Sequence, residues 1–214
     1  MDREVADGTK ADADVRRAIR LEIVTVAWMT IEAVASLAAG IAAGSLLLFA
    51  FGADSIIEFL SAVVVLRRLW HEAHPQPEAV ASLELHERKA EKIGGYLLLA
   101  LSLYIVGQAG YGLYYGHEAE TSWWGLAVAA VAAFGTPVLA RAKLRIADRI
   151  GSRALRADAM ETLTCGYLAW VLLGGLAANA LLRWWWLDAA ASLLIVPLLL
   201  REAKEALSDE ETSH

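Results

Sequence analysis

The stretch GSLLLFAFGADSIIE, Gly44 to Glu58, decides how the chain is read. It is an apolar run broken by two carboxylates, Asp54 and Glu58. Four residues apart, they fall on one face of a helix, about one turn from each other. Acidic groups at membrane depth are costly and mark ion or proton paths. The same frame returns at GSRALRADAMETLTC, Gly151 to Cys165. Gly44 answers to Gly151, Ser45 to Ser152, Asp54 to Glu161 and Glu58 to Cys165. In each copy a metal-ligating residue type stands nine and thirteen residues after the serine. The two copies are expected to face each other across a helix bundle and to hold a divalent cation.

The composition agrees with a membrane setting. Of 214 residues, 57% are hydrophobic and 21% charged, with a mean hydropathy of +0.45. So apolar a chain carries that much charge only if the charges are segregated, and they cluster between long apolar runs. The net charge of -6 comes largely from the two tails, and an acidic chain gives no support for nucleic-acid binding. The single cysteine, Cys165, makes no internal disulfide and is a free thiol or a ligand. The first fifteen residues are polar and read as no cleavable signal peptide, so the first apolar helix is expected to target the protein.

Six apolar runs follow one another, at about 21–43, 45–66, 93–115, 123–139, 155–182 and 187–200. The expected fold is an all-α membrane protein of six transmembrane helices, with an inverted repeat relating helices 2 and 5. Residues 1–15 read as a disordered acidic tail, 16–205 as the transmembrane domain and 206–214 as a short acidic tail. An even number of spans puts both termini on one side. All lysines and arginines but Arg183 fall in the tails and in the 2–3 and 4–5 loops, which makes that side cytoplasmic. Helices 2 and 5 then run in opposite directions. Asp54 lies about 12 Å below the outer end of its span, and Glu161 and Cys165 lie about 10–16 Å in from the cytoplasmic end. Both pairs reach the middle of a core about 30 Å thick, where inverted repeats of transporters meet around an ion.

Asp54, Glu58 and Glu161 offer hard oxygens and Cys165 a soft sulfur. Four such donors suit tetrahedral Zn²⁺, or Cd²⁺ and Co²⁺, with Mn²⁺ and Fe²⁺ as oxygen-tolerant alternatives. Asp158 shares the helical face of Glu161 and Cys165, so either acid can complete the shell. Asp158 also has a second reading, as a cytoplasmic access ligand or a partner of Arg156. Cys165 has the plainer reading of a small buried hydrophobe. No basic residue falls in the core of any apolar run to neutralise Asp54 and Glu58. An empty site of several bare carboxylates repels itself, so protons replace the metal. Competition between metal and protons, coupled to rocking between two open forms, is antiport. Glu32 in the first run is a further buried acid, lining the proton path or bonding to a neighbouring helix. His71, Glu72, His74 and His86 form either a second metal site or a solvated loop. Asp188, after Trp184–Trp186, reads as a helix-start residue near the outer interface.

These residues resemble the cation diffusion facilitator family over about 16–205. The stretches that carry the resemblance are GSLLLFAFGADSIIEFLSA, ERKAEKIGG, GSRALRADAMETLTCGYL and WWWLDAAASLL. The resemblance implies six transmembrane helices and a tetrahedral site built from a pair four apart on helix 2 and another on helix 5. The family's helix-2 pair, His or Asp and then Asp, maps to Asp54 and Glu58. Its helix-5 pair, typically His and then Asp, maps to Glu161 and Cys165, a departure that leaves the metal preference open. The chain looks like a short branch of the family, since about a dozen residues follow the sixth span where typical members add a cytoplasmic domain. A homodimer, as the family forms, would then be held by the membrane helices, with the Gly-rich third span as a candidate contact.

The resulting expectation is a proton-coupled exporter of a divalent metal, Zn²⁺ first, in the cell membrane. Its partners are the metal ion, protons and the lipid bilayer, and the metal is substrate rather than cofactor. A non-transporting metal sensor or scaffold is the alternative. An enzyme is not expected, because no histidine lies within a span to serve as a base beside Cys165.

Overall fold

A computed structural model describes the backbone of residues 2–73, 80–116, 119–182 and 184–208, and side chains within 13–71, 73, 92–116, 119–182 and 184–208. Its described residues form six helices: α1 (Asp2–Ala43), α2 (Leu46–Ala73), α3 (Val80–Tyr115), α4 (Trp123–Ile150), α5 (Arg153–Leu182) and α6 (Leu187–Ser208). Five of them, α1 to α5, are long and apolar enough to cross a membrane. The sixth has a shorter apolar stretch and lies against α3.

The helices outrun the apolar stretches: α3 begins at Val80, and α2 and α6 end at Ala73 and Ser208. The first turns of α1 fall on the acidic stretch read as a tail. That stretch has no proline, and Ala6, Ala11, Ala13, Arg3, Glu4 and Lys10 are good helix formers that offset its aspartates and Gly8. Similarly, α4 continues past its apolar run through the basic segment to Ile150. Ala140, Lys143, Ile146 and Ala147, three and four apart, give that segment one buried helical face.

Large apolar side chains cover the outside of the bundle, among them Ile31, Val34, Leu103, Phe134, Val138, Leu181 and Leu194. In water such a surface would associate, whereas in a bilayer it faces lipid. Trp123, Trp124, Tyr114, Tyr115 and Trp184–Trp186 are exposed around the α3–α4 and α5–α6 turns, at the end away from the basic loops. They form the aromatic girdle of a membrane–water interface.

The helices pack as hairpins. The α1–α2 and α4–α5 pairs are each closed by a Gly–Ser turn with the same construction. Gly44 (φ 62°) and Gly151 (φ 67°) take the left-handed conformation that ends a helix. Ser45 Oγ then accepts from Leu48 N at 3.2 Å, and Ser152 Oγ accepts from Leu155 N at 3.3 Å, each capping the next helix. The repeat visible in the sequence is thus a repeated turn. Asp188 extends the first copy. It lies in the first turn of α6, yet its carboxylate accepts from Ser45 Oγ at 2.5 Å and Leu46 N at 2.8 Å, so it caps α2.

At the centre, α2 touches α1, α3, α5 and α6. Its contacts with α5 run in opposite sequence order. Leu47 reaches Gly175, Asp54 and Glu58 meet Cys165, and Ser61 meets Glu161. The two helices are antiparallel, as an inverted repeat requires. One apolar core surrounds their outer halves (Leu47, Phe51, Leu168, Leu172, Ile195, Leu199). A second lies at the end of the basic loops (Ile19, Val65, Leu69, Ile146, Leu155). The polar groups lie largely between the two.

Candidate metal centre

Helical spacing places Asp54 and Glu58 one turn apart on α2, and α5 brings Cys165 to the same level. One donor atom from each of the three lies within 4.8 Å of the others. Asp54 and Cys165 are buried, and Glu58 is half-buried. A divalent ion would draw the three donors closer, since metal–ligand bonds of about 2.0–2.3 Å place neighbouring donors about 3.5 Å apart. Asp54 Oδ2 is buried without a hydrogen-bond partner, so the site holds anionic capacity that the protein itself leaves unsatisfied.

Small residues make this approach possible. A Cβ on Gly52 would lie 2.8 Å from Leu37 N, so glycine lets α1 press against α2 beside Asp54. A Cβ on Gly166 would lie 2.9 Å from Pro137 Cγ, so glycine lets α4 seat against α5 beside Cys165.

The two other helix-5 acids stand elsewhere. Glu161 is exposed and accepts a hydrogen bond from Ser61 Oγ at 2.6 Å. Its charge still bears on Asp54 and Glu58. Asp158 is buried and paired with Lys143 of α4, not with Arg156, which pairs with Asp148. Lys143 also approaches Glu22 of α1, at 3.1 Å, and Thr162 Oγ1, at 3.4 Å. A buried ion-pair cluster therefore links α1, α4 and α5. The sequence places Lys143 in a solvated basic loop, and Glu22 at the edge of the first apolar run drew no notice. Only its helical spacing from Ala140, Ile146 and Ala147 hints that this lysine faces inward.

Two further acids complete the neighbourhood. Glu32 of α1 is buried against Ser55 and Cys165. Glu202 of α6, which the sequence reading passes over, is half-buried and interacts with Thr164 and with the charges of Asp54 and Glu161. Acidic groups thus descend from Asp54 through Glu58 to Glu161 and Glu202, toward the end of the basic loops. In the other direction Leu47, Leu48 and Phe51 close the bundle. Of the loop histidines, His71 Nδ1 donates to the Arg67 carbonyl at 2.8 Å. Glu72, His74 and His86 lie outside the residues whose side chains are described.

Fold and site together define a multi-pass helical membrane protein with anionic donors gathered inside its bundle. The family model for the cation efflux transmembrane domain matches residues 23–210, so the chain belongs to the cation efflux family. It is accordingly an integral membrane cation transporter. No curated protein matches the chain.

Proposed function

We propose that the protein exports a divalent cation from the cytoplasm in exchange for protons, with Zn²⁺ as the preferred substrate. The observation that carries this reading is the meeting of Asp54, Glu58 and Cys165, from two antiparallel helices, within 4.8 Å inside the bundle. Oxygen and sulfur donors in one small cluster favour Zn²⁺, Cd²⁺ and Co²⁺ over Mg²⁺ and Ca²⁺, which take more oxygens and no sulfur. The same atoms bind protons when the metal leaves, so one site serves both ions in turn. Acids leading toward the basic loops, on the cytoplasmic side by the positive-inside rule, give the metal its access. The host membrane in this reading is the cell membrane. Gly107 and Gly110 on α3 have open space around them and leave a smooth face for a second copy of the chain.

Zinc flux into proteoliposomes under an imposed pH gradient tests the reading. Wild type transports, Asp54→Ala does not, and Cys165→Ser transports zinc more slowly. Equal zinc flux in wild type and Asp54→Ala removes the site. Flux that ignores the pH gradient removes the proton coupling.

A further inference from the structure

An ion of tetrahedral preference takes four protein or solvent donors, and α2 and α5 supply three. The helix-5 acids do not take the fourth place, because Glu161 is exposed on Ser61 and Asp158 is held by Lys143. A third helix reaches it. Glu32 of α1 is 0% exposed, and its Oε1 accepts from Ser55 Oγ at 2.8 Å and from the Cys165 thiol at 3.7 Å. Its Oε2 is buried and in no well-formed hydrogen bond, with the buried and unpaired Trp28 indole Nε1 as its one neighbouring donor, and Asp54 Oδ2 is likewise bare. A buried carboxylate oxygen left bare is costly, and a cation is the group that satisfies two of them at once.

The spacing fits a shared ion. Zinc bonds of about 2.3 Å to sulfur and 2.0 Å to oxygen set the two donors about 3.5 Å apart. Glu32 Oε1 and Cys165 Sγ are 3.7 Å apart. Glu32 adjoins the three-donor group through Cys165 but is not among the atoms within 4.8 Å of one another, so a shared ion requires its side chain to turn toward Asp54 and Glu58. Its place is set by the close α1–α2 crossing at Gly52 and by Ser55, the residue after Asp54.

We propose that Glu32 is the fourth ligand to the transported ion, so that the shell is drawn from three helices as Asp54, Glu58, Cys165 and Glu32. The proposal rests on the metal-binding reading of the site. It makes α1 part of the ion's cage, and any movement of α1 against α2 changes how tightly the ion is held.

Cobalt binding to the purified full chain in detergent tests it, because Co²⁺ absorption reports both ligand number and sulfur. Wild type is expected to show intense tetrahedral d–d bands and a sulfur-to-cobalt charge-transfer band. E32Q preserves the acceptor for Ser55; it should bind Co²⁺ at least about tenfold more weakly and lose d–d intensity while keeping the sulfur band. E161A should match wild type in both respects. E32Q with wild-type affinity and spectrum overturns the proposal, and so does an equal loss in E161A. If E32Q does not yield folded protein, E32D decides: weaker binding with shifted d–d bands supports the fourth ligand, and wild-type behaviour overturns it. D54A separates the two levels of inference, since cobalt binding unchanged in D54A sinks the metal site itself, whatever Glu32 does.

Discussion

Lys143 is 0% exposed, with carboxylates of two other helices around its ammonium. Buried ion pairs gain little over a well-packed apolar contact, but removing one partner strands the others. Lys143→Met is therefore expected to destabilise the bundle by about 3–5 kcal/mol, because Glu22 and Asp158 lose their counter-charge. Thermal unfolding in detergent measures this, and adding Asp158→Asn to Lys143→Met should recover part of the loss. A Lys143→Met protein that melts with wild type would mean that the pair carries no stability. Cys165 gives a second test at this scale. Serine replaces a soft sulfur by a hard oxygen, so Cys165→Ser should lower the preference for Cd²⁺ over Mn²⁺ in competition binding. An unchanged preference would leave the thiol as packing alone. Single residues were unevenly legible: Asp54, Glu58 and Cys165 stood out against apolar neighbours at fixed spacing. Glu22 and Lys143 sit at the margins of apolar runs, where a charge ordinarily meets water, and their pairing joins helices far apart in the chain.

Among the elements, the two Gly–Ser turns do most to set the architecture. Each ends one helix on a left-handed glycine and starts the next on a serine cap within two residues. So short a link forces α1 against α2 and α4 against α5 as antiparallel neighbours. The first link was readable from the adjoining runs at 21–43 and 45–66; the second was not, because the basic segment after 139 read as a loop. Which helices cross most closely was not readable either, because close approach depends on which face a glycine occupies. At Gly52 an added Cβ would meet Leu37 at both backbone N (2.8 Å) and side-chain Cγ (2.9 Å). Gly52→Val is expected to part α1 from α2 and to cost about 1–3 kcal/mol through overpacking. It should also weaken metal binding by moving α1 away from the site. Scanning calorimetry and cobalt titration of the same sample check both effects; a variant with wild-type stability and affinity would show that the crossing is loose.

Taken whole, the molecule is two antiparallel hairpins, α1–α2 and α4–α5, with α3 and α6 packed on each other and the donors where α2 meets α5, and its two ends differ in the groups they carry. Glu58 and Glu202 are half-buried and Glu161 is exposed on the side of the basic loops. Leu47, Leu48 and Phe51 are at most 1% exposed on the other side. In the proposed mechanism an ion reaches Asp54 past Ser61 and Glu161, which hydrogen-bond across α2 and α5. Positive-inside asymmetry makes that passage cytoplasmic. Reporter cysteines in a Cys165→Ser background turn this into a measurement. Ser61→Cys is expected to react with a membrane-impermeant thiol reagent in inside-out vesicles and to resist it in right-side-out vesicles. Leu48→Cys should resist the reagent from the cytoplasmic face, since the buried outer core stands in the way. Reaction of Ser61→Cys only from the outer face would invert the orientation and, with it, the direction of transport. Equal reaction from both faces would mean a continuous pore, which no exchange of metal for protons can tolerate, because an open path lets both ions run down their gradients uncoupled.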